Sequence, residues 1–129
     1  MVCLDSDIII DALHNEKKVV ERILRLKEIS LLTTTSINTF ELFKGSFYTK
    51  DEKEKAGIMK FLAGIKLFSF NFKASEKAAE IFETLRNKGE PIELTDVMIA
   101  SVAITNNETL LTKNARHFSK IPELKLESF

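Results

Sequence analysis

The stretch MVCLDSDIIIDAL, residues 1–13, places a short apolar run directly before three carboxylates. The run VCL is too short and too apolar for a half-exposed strand, and it predicts a buried one. Asp5, Asp7 and Asp11 follow it, and the first basic residue is Lys17. Carboxylates beside a buried strand are costly unless they are paired or bound to a cation. The stretch therefore predicts a central strand with an acidic site at its carboxyl end.

Short strands alternate with helices along the rest of the chain. Such alternation predicts an α/β fold in which a mostly parallel sheet is covered on both faces. The length of 129 residues, with only four Gly, two Pro and no linker or repeat, predicts one domain over 1–129. The hydrophobic periodicity predicts strands at 2–4, 31–34, 66–70, 109–111 and 124–126, and helices at 8–14, 17–28, 37–48, 51–63, 74–88 and 97–105.

Composition excludes several classes of protein. The 19 basic and 19 acidic residues cancel, which argues against a passive, charge-driven binder of nucleic acid. No apolar stretch approaches the roughly 20 residues of a membrane span, and no signal peptide is visible. The single cysteine, Cys3, cannot form an internal disulfide and is expected in the core. We therefore expect a cytoplasmic protein with no membrane association.

Two further carboxylates fall at unusual places on predicted helices. Glu41, in TTTSINTFELFKG, borders an apolar helix face, where it either pairs with Lys44 or binds a cation. Asp96, in PIELTDVMIASVAI, begins a helix that is apolar on nearly every side. It either serves as a favourable first-turn charge, with Thr95 as the N-cap, or points into the same strand-end crevice as Asp5.

The chain lacks the motifs of several other chemistries. It has no GxxxxGK[ST] or GxGxxG loop for a nucleotide and no Cys/His cluster for zinc. Asn114 follows the strand at 109–111 and fits a helix N-cap, while Thr112 projects at the same strand end. His117 is expected to be a surface or half-buried histidine and neither a metal ligand nor a base. Oxygen ligands of this kind suit Mg²⁺ or Mn²⁺.

These motifs, in this order, resemble the PIN-domain family and, within it, the VapC-type toxins of toxin–antitoxin pairs. LDSDIII is similar to the opening LDTN-type motif, TSINTFELFKG to the motif with the catalytic Glu, and GEPIELTDVMIASVA to the segment with the second catalytic Asp. TLLTKNARHFSKIPELKL resembles the closing T-x-N-x-x-x-F pattern. The resemblance covers essentially the whole chain and implies Asp5, Glu41 and Asp96 as catalytic residues.

The resemblance implies an αβα sandwich and a Mg²⁺- or Mn²⁺-dependent endoribonuclease. Asp5, Glu41 and Asp96 would hold one ion, directly or through water, and Asn114 would act as a further ligand through water. RNA is the implied substrate, and a cognate antitoxin protein the implied partner. Two residues depart from the family pattern: Asn114 replaces an acid of many relatives, and Asp7 replaces an Asn, where it either caps the following helix or adds a ligand.

Position alone indicates candidate contacts to substrate and to a second subunit. Thr112, Lys44, Lys113 and Arg116 flank the predicted site and could contact RNA phosphates. We expect Asp11 to be solvated or paired with a cation. Core packing is the default interpretation of three phenylalanines that crowd one helix, but their spacing also suits a homodimer interface or an antitoxin groove, and we predict a dimer: Phe40, Phe43 and Phe47.

Other functions compete with the nuclease. Asp5-Ser6-Asp7 also fits the DxD of a haloacid-dehalogenase-type phosphatase, in which Asp5 would be the nucleophile, although the chain is short for that class. A receiver-type phosphoacceptor domain needs an Asp after its central strand, whereas Asn71 follows the strand at 66–70 here. A non-catalytic PIN-like interaction module is the remaining alternative.

Overall fold

A five-stranded sheet lies between two layers of helices in the computed structural model, which describes residues 1–129. The strand order is β3-β2-β1-β4-β5, and every neighbouring pair is parallel. This confirms the predicted αβα sandwich. In chain order the elements are β1 (Val2–Leu4), α1 (Ser6–Leu13), α2 (Lys17–Ile29), β2 (Leu32–Thr35), α3 (Ser36–Thr49), α4 (Glu52–Ala63), β3 (Lys66–Phe68), α5 (Phe72–Asn87), α6 (Leu94–Thr105), β4 (Thr109–Thr112), α7 (Ala115–Phe118) and β5 (Lys125–Ser128).

Strand β1 is the middle strand and is buried on both faces. Val2 and Leu4 pack into an apolar cluster with α1, α2 and α4, while Cys3 packs into a second cluster with α5, α6 and α7. This alternation follows from the two-residue period of a strand. Cys3 is only 1% exposed, which confirms its predicted place in the core, and this burial raises the pKa of its thiol to about 12.

Four helices begin earlier than predicted, α1 and α5 by two residues, α3 by one and α6 by three. Helix α1 begins at Ser6 because the Asp5 carboxylate caps it, so the prediction that Asp7 caps this helix is wrong. Helix α6 begins at Leu94, after Glu93, and Thr95 lies inside the helix. The prediction that Thr95 is the N-cap is therefore wrong as well.

The remaining elements differ from prediction mainly at their ends. Strand β3 ends at Phe68 and β5 covers Lys125–Ser128, while the four-residue helix α7 was not predicted. Helix α5 ends at a Schellman motif, in which Glu90 N–H donates to the Leu85 carbonyl and Gly89 N–H donates to the Arg86 carbonyl. None of the helices is long and apolar enough to cross a membrane.

Candidate active site

The candidate site lies at the carboxyl edge of the three middle strands. Asp5 directly follows β1, Thr112 ends β4, and α3 begins directly after Thr35 of β2. Because β1 lies between β2 and β4 and all three strands are parallel, these chain positions meet at one edge of the sheet. This is the edge at which α/β sheets place their ligands.

Asp5 is the centre of the site and is only 5% exposed. Its Oδ1 accepts hydrogen bonds from the Ser6 backbone N–H at 2.8 Å and from Asn38 Nδ2 at 3.0 Å. Its Oδ2 accepts one from Thr112 Oγ1 at 2.7 Å. Burial raises the pKa of Asp5, and these hydrogen bonds oppose the rise. The carboxylate is thus fixed in orientation by three different segments of the chain.

Glu41 is held beside Asp5 by a short polar relay. The buried Asn38 amide donates to Asp5 and also to Ser6 Oγ at 2.9 Å, and Ser6 Oγ donates to Glu41 Oε1 at 2.7 Å. Burial and then the charge of Asp5 raise the pKa of Glu41, against the hydrogen bond from Ser6. The predicted alternative, an ion pair with Lys44, is absent, although the charge of Lys44 lowers this pKa.

Asp96 brings a third carboxylate to the same place from α6. Burial raises its pKa to about 6, followed by the charges of Asp5 and Glu41. Glu93 adds to the rise, and His117 opposes it. His117 is exposed, as predicted, and still lies within electrostatic range of Asp96. The three predicted catalytic carboxylates do come together, from segments that are far apart in the chain.

Asp7 has a different role from the predicted helix cap. Its Oδ2 accepts a hydrogen bond from the Lys113 backbone N–H at 3.0 Å and one from Thr112 Oγ1 at 3.4 Å. Its Oδ1 is buried and has no hydrogen-bond partner. Burial and the charge of Asp5 raise the pKa of Asp7 to about 6. Asp7 thus ties α1 to the loop after β4 and adds a fourth carboxylate.

The end of β4 and the loop after it place four of the residues that the sequence singled out, and they correct the role of Thr112. Thr112 is fully buried with its hydroxyl on Asp5, so it cannot contact substrate as predicted. Lys113 is bound to Asp11 at 2.5 Å, which confirms a paired Asp11 and reduces the charge that Lys113 offers to RNA. Asn114 is the N-cap residue of α7, as predicted, but its side chain makes no capping bond; its backbone N–H donates to Thr112 Oγ1 at 2.9 Å. Arg116 is exposed and forms no ion pair.

Sequence reasoning missed Ser6 and Asn38 as functional residues. Asn38 is 0% exposed and donates a hydrogen bond to Asp5, which lies 33 residues earlier in the sequence. A contact over such a separation cannot be predicted from a local sequence pattern. The one signal in the sequence was a polar side chain on the apolar face of a helix, three positions before Glu41. A buried amide at such a position needs partners, and here the partners are the catalytic candidates.

The donor set fits a hard divalent cation in its chemistry. All four acidic side chains offer oxygen, no Lys or Arg is paired with Asp5, Glu41 or Asp96, and one Asp7 oxygen is buried without a partner. No three acidic, His or Cys side chains are close enough, as placed, to coordinate one ion together. The set therefore fits Mg²⁺ or Mn²⁺ held in part through its own waters, which is the habit of Mg²⁺ in proteins.

Known proteins share both the sequence pattern and the fold. A family model for the PIN domain matches residues 2–124. Ribonuclease VapC2 of Rickettsia felis is 31% identical over 98% of this chain and 96% of that protein. Ribonuclease VapC1 of Haemophilus influenzae is 27% identical over the same shares. The crystal structure of VapBC2 from Rickettsia felis, bound to a DNA fragment from their promoter, has a TM-score of 0.90 at 28% identity and covers 100% of this chain and 99% of that chain.

Proposed function

This chain belongs to the PIN domain family, and from that membership we propose that it is a Mg²⁺- or Mn²⁺-dependent endoribonuclease, the toxin of a VapBC-type toxin–antitoxin pair. One observation carries the proposal. Asp5, Glu41 and Asp96 converge from three elements: the charge of Asp5 raises the pKa of the other two, the charge of Glu41 raises that of Asp96, and no basic side chain forms an ion pair with them. Such a cluster is stable at neutral pH only with a bound cation or with bound protons.

The residues of the site divide the work of phosphodiester hydrolysis. Asp5, Glu41 and Asp96 would hold the ion, and Asn114 would contact it through water. An ion held there would supply a water of lowered pKa and positive charge for the phosphoryl oxygens. Asn38 and Ser6 keep Asp5 and Glu41 in place, so that the carboxylates do not reorganise when substrate enters.

Two exposed cations are the candidates for contact with RNA phosphates. Lys44 lies one helical turn from Glu41, and Arg116 lies in α7 next to the loop that Asp7 holds. Neither forms an ion pair within the protein, so both can neutralise a phosphate without breaking another contact. Lys113 is a weaker candidate because it is already bound to Asp11.

The relatives indicate the protein partners. The similar solved structure is a VapBC complex bound to promoter DNA, and we propose a cognate antitoxin of the same kind for this chain. We also propose a homodimer. The exposed rings of Phe40 and Phe47 on α3 support the dimer, whereas Phe43 packs against the core and is not available to a partner over most of its surface.

The phosphatase alternative has less support. A nucleophilic carboxylate must itself reach the substrate phosphorus, whereas Asp5 is only 5% exposed and caps α1, and the chain is short for that class. The non-catalytic interaction module is tested directly by the experiment that follows.

The deciding experiment measures cleavage of total RNA by the purified, antitoxin-free protein with Mg²⁺, with Mn²⁺ and with EDTA. We expect cleavage only with a divalent ion, fragments with 5′-phosphate ends, and at least a hundredfold loss in Asp96→Asn. The matched control is Glu76→Gln, which changes an exposed carboxylate of α5 outside any ion pair and should cleave like the wild type. Metal-independent cleavage, or full activity in Asp96→Asn, would contradict the proposal, and metal binding without any cleavage would favour the interaction module.

A further inference from the structure

A groove on the outer side of α3 leads away from Glu41. It is open, has a volume of about 310 Å³ and is lined by Glu41, Lys44, Gly45 and Tyr48. These positions are spaced by three or four residues, so they form one continuous stripe along the helix. Because Glu41 is also held by Ser6 in the candidate site, the groove and the site share a wall.

Gly45 lies inside α3, where the fold gives no reason for a glycine. A Cβ built at this position meets no atom within 4 Å, and its φ angle is not positive. Glycine destabilises a helix interior relative to alanine. Since alanine fits here without any contact, the absent side chain does not serve packing or backbone conformation. It leaves the helix backbone open to a close approach from outside.

The other two lining residues have no partner within the protein. Tyr48 is 88% exposed, so its ring faces solvent. Lys44 is exposed and takes part in none of the ion pairs. An exposed aromatic ring and a free cation on either side of a bare stretch of backbone are the elements with which proteins bind single-stranded nucleic acid.

We propose that this groove binds an unpaired nucleotide of the RNA next to the bond that is cut, with the base stacked on Tyr48, the phosphate on Lys44 and the sugar over Gly45. The proposal rests on the proposed ribonuclease function and deepens it, because it assigns a substrate subsite outside the carboxylate cluster. It predicts that the enzyme requires an unpaired nucleotide beside the scissile bond, since a base inside a duplex cannot stack on a side chain.

The chemistry of the groove favours RNA over a protein segment. A docked helix is anchored by apolar side chains, whereas only one of the four lining residues is apolar. Phe47, the nearest exposed aromatic residue on α3, lies on the α4 side with the Lys55 amine 4.8 Å from its ring centroid. The exposed apolar surface of α3 is therefore next to the groove and not within it.

The composition of the chain supplies a specific probe. Tyr48 is the only tyrosine, and there is no tryptophan. Intrinsic tyrosine fluorescence therefore reports on this ring alone. The binding experiment uses Asp96→Asn, because this variant should not cleave the RNA. A short single-stranded oligoribonucleotide of mixed sequence, added with Mg²⁺, should quench the tyrosine fluorescence as it binds. A duplex of the same sequence should not.

Variants of the groove test the assignment by affinity. With a labelled strand, Tyr48→Ala should weaken binding by about tenfold, the usual loss when a base loses its aromatic partner. Tyr48→Phe should keep the affinity because stacking needs no hydroxyl, and Gly45→Ala should weaken binding severalfold while the protein stays folded. The control is Phe72→Ala, which removes an equally exposed ring, 88% accessible, at the start of α5.

Failure of this inference is distinguishable from failure of the ribonuclease function. If the wild type cleaves RNA with metal but Tyr48→Ala matches Phe72→Ala in affinity and RNA causes no quench, the subsite is wrong and the function stands. If Tyr48→Ala instead halves the molecular mass or releases a bound antitoxin, the groove is a protein interface and the inference is overturned. If the wild type neither binds nor cleaves RNA, both proposals fail.

Discussion

Asn38 connects two carboxylates of the site, because it donates to Asp5 directly and reaches Glu41 through the Ser6 hydroxyl. Asn38→Ala removes the donors to Asp5 Oδ1 and Ser6 Oγ and leaves the Thr35 hydroxyl without its acceptor. Unsatisfied buried groups cost about 1–3 kcal/mol. We expect the free energy of unfolding, measured by urea denaturation, to fall by about that amount.

The matched control is Asn87→Ala, at the exposed end of α5, which should be close to neutral. An activity assay on Asn38→Ala and Asn87→Ala distinguishes a role of Asn38 in positioning the carboxylates from a role in folding. Asn38→Ala should lower kcat at a temperature at which both variants are folded, because Asp5 and Glu41 lose their common support. Equal kcat values in the two variants would show that the relay has no part in catalysis.

The carboxyls of Asp7 and Asp96 predict an unusual pH dependence of stability. Both have a pKa of about 6 in the folded protein, above the ordinary value of 3.8. Between these values the folded state binds more protons than the unfolded state, so stability falls as the pH rises from about 4 to about 6. The metal-free protein should therefore melt a few degrees lower at pH 7 than at pH 5.

Thermal unfolding in EDTA measures this difference. Asp96→Asn replaces the carboxyl by an amide that does not ionise. Its Tm at pH 7 should therefore rise, and the difference in Tm between pH 5 and pH 7 should shrink. Glu83→Gln serves as the control, because the Glu83 carboxylate is exposed, has a pKa that is lowered by Arg86, and should leave the difference unchanged. A Tm that rises from pH 5 to pH 7 in the metal-free wild type would contradict the prediction.

At the residue scale, sequence reasoning predicted charges better than hydrogen bonds. Asp5 was predictable because a carboxylate after a buried strand needs a reason, and Glu41 and Asp96 because their helices are otherwise apolar there. The roles of Thr112 and Asp7 were not predictable. Each depends on a partner about a hundred residues away, and only the folded chain shows that the Thr112 hydroxyl is already occupied by Asp5.

At the scale of elements, two glycines predict opposite effects of one substitution. Gly89 ends α5 with a φ angle of +68°, which L side chains rarely adopt, so Gly89→Ala should lower the free energy of unfolding by about 1 kcal/mol. Gly45 is inside α3 with open space around it, so Gly45→Ala should raise the free energy of unfolding by about 1 kcal/mol. Urea denaturation of the two variants, side by side, measures both signs.

A stabilised Gly45→Ala variant that binds RNA as tightly as the wild type would remove the functional reason for this glycine. A destabilised one would mean that α3 is packed more tightly around position 45 than it is here. Either result is independent of Gly89, which lies in another layer of the fold and shares no contact with it.

The elements themselves were largely predictable, and the exceptions have physical causes. Hydrophobic periodicity located all five strands and the six long helices, because each element has a buried face of its own. Helix α7 was not predicted, because its four residues are too few to show a hydrophobic periodicity. The first residues of α1 and α6 were not predicted correctly, because several polar residues could have served as N-caps and only tertiary contacts decide which one does.

At the scale of the whole molecule, the exposed phenylalanines of α3 predict association. The chain mass is 14.7 kDa, and light scattering at micromolar concentration should give twice that value. Phe40 is 57% exposed, so Phe40→Glu should place a charge in the interface and give the monomer mass. Phe72→Glu changes a ring that is still more exposed on α5 and should remain dimeric. A monomeric wild type would remove the homodimer.

The pairing of β1 with β4 also sets the order of events during synthesis. Asp5 receives its hydroxyl donor from Thr112, which the ribosome adds 107 residues later. Contacts between residues so distant in sequence form late, since a long loop must close first. A nascent chain that has not yet reached residue 112 contains Asp5 and Glu41 but lacks the strand beside them. The carboxylate site is therefore assembled only near the end of translation. During most of its synthesis the nascent chain on the ribosome has no complete carboxylate site.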